Sequence, residues 1–99
     1  LLGLVNQARA EAGLGGLSYD GTLVSESCAQ SGWMASTGNF SHSSGGSRRA
    51  ENIAYGYSSA QAVFTAWMNS SGHRANILGA GYTRMGACLA GTYWTQQFR

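Results

Sequence analysis

The sequence contains no proline and no lysine, and it has little charge of either sign. Asp and Glu number 4, Arg supplies all 6 basic residues, and the 99-residue chain carries a net charge of +2. Charged residues make up 10% against a usual share of about 25%. With 43% hydrophobic residues, this composition excludes an intrinsically disordered chain. The apolar runs are short, such as Leu1-Leu2 or Ala62-Val63-Phe64, so no transmembrane helix is expected. Only Arg48 and Arg49 are adjacent among the cations, and they stand in a Gly/Ser-rich stretch. That is a solvated loop and not the basic stripe of a nucleic-acid binder, so no nucleic-acid partner is expected. No CxxC, HExxH or GxSxG is present, which removes the usual zinc-ribbon, zincin and serine-hydrolase signatures. No signal peptide is visible. The first residues already read as helix, which leaves room for a targeting segment upstream of Leu1.

What is present fits one small domain over residues 1–99. A chain this short hides only about 60–65% of its unfolded surface, so its core is modest. Cys28 and Cys88 form an even pair, which suits an oxidising compartment. A disulfide would staple the small core by roughly 4 kcal/mol in the chain-entropy model. Two buried free thiols are the alternative.

Without proline, the punctuation falls to the 15 glycines and to capping residues. Leu1, Leu4, Val5, Ala8 and Ala12 recur at helical spacing, with Gly13 as a stop. Asp20 can cap a second helix that places Leu23, Ser27, Cys28, Ser31 and Met34 on one face and ends at Gly38. Residues 39–50 form a Ser/Gly-rich loop. Glu51 to Tyr55 reads as a strand. Ser58 or Ser59 caps a third helix reaching about Asn69, and Ser70-Ser71-Gly72 interrupts before a short helical turn over His73 to Leu78. Tyr82 to Ala90 and Tyr93 to Phe98 read as a hairpin, with Met85, Ala87 and Leu89 sharing a face of the first strand and Trp94, Gln96 and Phe98 sharing a face of the second. Helices and strands do not alternate as βαβ units. The expectation is an α+β fold with helices covering a small antiparallel sheet.

Few residues can carry chemistry. Glu11 and Glu26 fall on solvated helix faces and Asp20 is a cap. His42, Glu51 and His73 stand at the ends of elements, where sites tend to be built. Two imidazoles and a carboxylate suit a divalent cation such as Zn2+, with Glu51 either ligating it or orienting one ring. Ordinary surface or capping histidines are the plainer alternative. A third is a structural network pinning loops to the sheet, with Arg74 paired to Glu51. A Ser-His-Asp triad has no obvious third member.

Taken in order, Leu4-Val5-Asn6 with Ala8-Arg9, Phe40-Ser41-His42-Ser43, Glu51-Asn52-Ile53-Ala54 and Trp67-Met68-Asn69-Ser70 form a recognisable series. Gly72-His73-Arg74, Asn76-Ile77-Leu78 and Tyr93-Trp94-Thr95-Gln96 with Phe98 complete it. Through them the chain resembles the CAP superfamily, or SCP domains, in its compact bacterial branch. That superfamily includes cysteine-rich secretory proteins and plant pathogenesis-related group 1 proteins. The resemblance implies a three-layer α-β-α sandwich, secreted or on the cell envelope, with a central cavity. His42, Glu51 and His73 match three of its four cavity residues. The fourth, a Glu in the animal and plant branches, is Ser70 here, and Ser71 replaces the Pro of the bacterial turn. The resemblance also implies a metal ion, small molecule or lipid in the cavity, with Asn52, Trp67 and Ser70 beside it. Metal- or His-assisted proteolysis or esterolysis, with Glu51 as base, is the enzymatic alternative. A structural module without catalysis is the third.

Overall fold

The structure is a computed structural model of residues 1–99. Its elements run α1 (Leu2–Glu11), β1 (Ser18–Tyr19), α2 (Gly21–Thr37), β2 (Ala50–Tyr55), α3 (Ala60–Met68), α4 (Ser71–Ile77), β3 (Arg84–Ala90) and β4 (Tyr93–Phe98). The boundaries follow local chemistry. The Asp20 carboxylate accepts from the Thr22 and Leu23 N–H groups and starts α2, and Gly38 ends it at φ 73°. Ser59 accepts from the Ala62 N–H and starts α3. The Ser70-Ser71-Gly72 interruption is narrower than the residue types imply, because α4 already begins at Ser71.

The strands form one sheet in the order β1-β3-β4-β2. The β3–β4 hairpin and the β4–β2 pair are antiparallel. β1, hidden in the Gly-rich connector, pairs parallel with β3 through Ser18–Arg84 and Tyr19–Met85. The sheet is therefore mixed, with an antiparallel three-stranded body and a parallel edge. Two residues are too short to show alternation, so this strand left no periodic mark.

Alternation along the strands divides the molecule into three layers. Met85, Trp94, Phe98 and Ala54 point toward α1, α3 and α4, where they join Val5, Val63, Trp67 and Ile77 in the main apolar core. Gly86, Cys88, Thr95, Gln97 and Glu51 point toward α2. This second layer is thin and polar. α2 comes so close to β3 that a Cβ at Gly86 would run into the backbone of Leu23 and Val24. Ser31 Oγ shares a 2.7 Å hydrogen bond with Thr95 Oγ1 and donates to the Cys88 carbonyl. The Cys28–Cys88 disulfide, with Cα atoms 4.9 Å apart, locks α2 onto β3. Only 21 of 99 residues are buried. A bond closing a separation of 60 residues, contributing about 4 kcal/mol, is thus a large share of the stability.

The other layer has its own anchor. Arg9 is 1% exposed, and burial works against its charge. Its guanidinium donates to the carbonyls of Gly15, Ile77, Gly79 and Tyr82, tying α1 to the end of α4.

Candidate functional site

β2 is the sheet edge, and its neighbours Glu51 and Asn52 serve opposite faces. Asn52 is fully buried, receives a hydrogen bond from Asn76 and donates to the His73 carbonyl and to Gln96 Oε1. It positions α4 and lines neither of the clefts described below. Glu51 points the other way. Its side chain is 1% exposed, and both oxygens are engaged. Oε1 accepts from His42 Nδ1 at 2.8 Å and the Ser43 N–H at 2.9 Å. Oε2 accepts from Ser43 Oγ at 2.7 Å and Gln97 Nε2 at 2.8 Å, with Arg48 Nε at 3.5 Å. Burial alone pushes the carboxyl pKa up, but the hydrogen bonds from Ser43, Gln97 and His42 together hold it below the ordinary carboxylate value.

The cation beside Glu51 is thus Arg48, and the Glu51–Arg74 pair of the structural alternative is replaced by it. Arg48 also donates to the Ser43 side chain and carbonyl, so it braces the loop instead of lying free in solvent. Glu26 is likewise engaged, accepting from the Ser47 N–H and Oγ. Ser43, Gln97 and Arg48 are the residues that sequence reasoning missed. The one available signal was the run Thr95-Gln96-Gln97 in a strand whose residues are buried on both faces.

The histidines are treated differently. His42 side chain is 56% exposed, with Nδ1 held by Glu51. His73 Nδ1 is bonded to Ser70 Oγ at 2.8 Å. Burial lowers the His73 pKa, and the charge of His42 lowers it further. The rings line two separate clefts. His42 borders a cleft of about 640 Å³ between α2 and the 42–46 loop. His73 borders one of about 280 Å³ with Ser70, Trp67, Phe40, Ile53 and Tyr55. Trp67 is almost fully buried and its indole N–H donates to the Ile53 carbonyl, so it fixes the wall of the second cleft.

This donor set does not fit a three-residue zinc site. No three His, Cys, Asp or Glu side chains converge, and Glu51 is already saturated. What it fits is Nε2 of His42 acting as a donor with Glu51 behind it as an orienting acceptor, and Nε2 of His73 doing so in the tautomer whose Nδ1–H donates to Ser70 Oγ.

A disulfide-stapled α-β-α sandwich with a carboxylate-oriented histidine at its sheet edge defines the class: small SCP-type domains. The CAP, cysteine-rich secretory protein family matches residues 2–98, and the chain belongs to that family. It is 38% identical over 112 residues to the uncharacterized protein YkwD of Bacillus subtilis (strain 168), aligning 96% of this chain with 44% of that protein. It is 33% identical over 113 residues to the uncharacterized membrane protein YlbC of the same organism, with 99% and 33% covered. The chain therefore spans less than half the length of these relatives. Among solved structures, an extracellular SCP-domain protein from Bacillus anthracis superposes with a TM-score of 0.90 at 28% identity, covering 98% of this chain and 38% of that one. An outer surface protein from Borrelia burgdorferi shares the fold, with a TM-score of 0.85 at 19% identity over 98% of this chain and 86% of that one. No helix here is long and apolar enough to cross a membrane.

Proposed function

We propose that this domain acts outside the cytoplasm as a binding module, with the imidazoles of His42 and His73 as the donors of a weak divalent-cation site. The carrying observation is that Nδ1 of His42 is tied to the Glu51 carboxylate, which leaves its Nε2 to the ligand, while His73 Nδ1 shares a hydrogen bond with Ser70 Oγ. Zn2+ suits two imidazoles, with water or a small ligand completing its coordination. The smaller cleft, walled by Phe40, Ile53, Tyr55 and Trp67, suits an apolar group, such as part of a lipid, beside His73. The Cys28–Cys88 disulfide and the extracellular relative from B. anthracis support the location.

Hydrolysis has less behind it. The hydroxyl nearest the His42–Glu51 pair, Ser43 Oγ, donates to Glu51 and accepts from Arg48, so it is turned away from a nucleophile's role.

Zinc calorimetry tests the reading. Wild type is expected to bind at neutral pH and to lose binding below about pH 6 as imidazole protonates. His42→Ala and His73→Ala should each remove most of the heat, and Glu51→Gln should weaken binding about 10–100-fold. Equal heats for wild type and the double histidine variant would end the cation reading.

A further inference from the structure

We infer that the larger cleft, between α2 and the 42–46 loop, is a binding site for a neutral, hydroxyl-rich ring, that is, a saccharide. Its volume of about 640 Å³ lies within the about 300–1,000 Å³ of small-molecule pockets. One wall is helical: Glu26, Gln30 and Trp33 recur at spacings of three and four and line the cleft together. Trp33 is 43% exposed, so its ring is available to a ligand. His42 and Ser43 stand on the opposite wall, and Gln97 lines the cleft from the sheet.

Gln97 is the deciding residue. It is 0% exposed, and its Nε2 donates to Glu51 Oε2 at 2.8 Å. That bond fixes the amide, because turning it over would set its oxygen against the carboxylate. Oε1 is thereby held as a buried acceptor with no protein donor. A buried acceptor in that condition favours any ligand that brings it an O–H or N–H.

The rest of the lining selects among such ligands. It carries the Glu26 carboxylate and no Arg, since Arg48 is turned to Ser43 and Glu51. Phosphates, carboxylates and acidic lipid headgroups would meet that carboxylate without a fixed countercharge. Ala29 and Trp33 are its only hydrophobic residues, too few to hold an acyl chain. A saccharide meets each condition. Its C–H face lies on the electron-rich indole of Trp33, and its hydroxyls donate to Gln97 Oε1 and bond Gln30 and His42. The inference shares His42 with the cation reading but needs no cation, and it concerns a different cleft from that of His73.

The test is an NMR titration of the domain in EDTA with maltotriose, cellotriose and triacetylchitotriose, and with glucose 6-phosphate as the anionic comparison. At least one neutral trisaccharide is expected to shift the Ser43–Gly46 amides and the Gln97 and Trp33 side-chain N–H signals, saturating at about millimolar concentration or below. Trp33→Ala, at an exposed helical position, should weaken this roughly tenfold or more, and Trp33→Phe should keep most of it. Gln97→Met should cause a similar loss. If that variant does not fold, the comparison of Trp33→Ala with Trp33→Phe decides. The inference fails if no neutral trisaccharide shifts these signals up to about 50 mM. It fails equally if Trp33→Ala binds as wild type does, or if glucose 6-phosphate binds as tightly as the trisaccharides.

Discussion

Glu51→Gln is the sharpest perturbation of this domain, because it keeps the shape of a buried side chain, removes its charge and turns one of its two acceptor oxygens into a donor. In the wild type the carboxylate accepts four hydrogen bonds of 2.7–2.9 Å, from His42, Ser43 (twice) and Gln97. A hydrogen bond to a charged group contributes about 1 kcal/mol more than a neutral one, so the two bonds the amide oxygen keeps forfeit about 2 kcal/mol, and the two donors left facing its NH2 group forfeit about as much again, for a total of about 4 kcal/mol. Relief of carboxylate burial returns part of this, roughly 2 kcal/mol. The net expectation is a loss of about 2 kcal/mol, or roughly 10 °C in melting temperature for a domain of this size. Urea denaturation measures it. The pH dependence carries an independent sign. A folded-state pKa held below the ordinary 4.5 means that the contribution of Glu51 is fully present above pH 4.5 and is lost as pH falls through the lowered value. The wild type should therefore lose stability more steeply than Glu51→Gln on acidification below that pH. A variant within about 0.5 kcal/mol of wild type, with the same acid profile, would refute the claim that this carboxylate organises the 42–48 loop.

The Arg9 anchor predicts that Arg9→Lys loses about 3 kcal/mol or more in the same urea assay, because an ammonium cannot span the four carbonyls that the guanidinium holds. Gly86→Ala should be destabilised by about 3 kcal/mol, since the added Cβ meets main chain that cannot rotate aside, and circular dichroism melting would report it. His42→Ala should raise the NMR titration midpoint of His73 without restoring the ordinary 6.5, because burial, the larger cause of its lowering, remains. An unchanged midpoint would place the two rings beyond electrostatic reach.

The helices were legible because their signals are local. Asp20 and Ser59 cap through their own side chains, and Gly38 supplies the left-handed residue that ends α2. The β3–β4 hairpin was legible from alternation, and Met85 pairs with Phe98 on the face the pattern assigned. β1 was not, because two residues carry no period and its pairing with β3 is made by backbone groups alone. The candidate site was legible in its residue types and illegible in its wiring. Glu51 stood out as a carboxylate opening an apolar strand. Which cation would reach it depended on a loop without periodicity, and there Arg48 turns inward while its neighbour Arg49 lies 5.9 Å over the Tyr82 ring. Arg9 was hidden for a related reason. A buried guanidinium satisfied by carbonyls leaves no charge partner in the sequence to search for.

The two histidines differ in a way that one residue explains. His42 is backed by a carboxylate and His73 by the hydroxyl of Ser70, at the position where the resemblance to animal and plant SCP domains leads one to expect a glutamate. A hydroxyl can donate to the ring or accept from it, so it does not fix the tautomer as a carboxylate does, and it stabilises the protonated form less. Burial then acts on His73 without opposition, and its pKa falls. A ring kept neutral is available as a donor at lower pH, yet it lacks the added basicity that a carboxylate behind it would confer. His42 is the ring whose direction is most firmly held, by the same Glu51 that orders Ser43 and Gln97 beside the larger cleft.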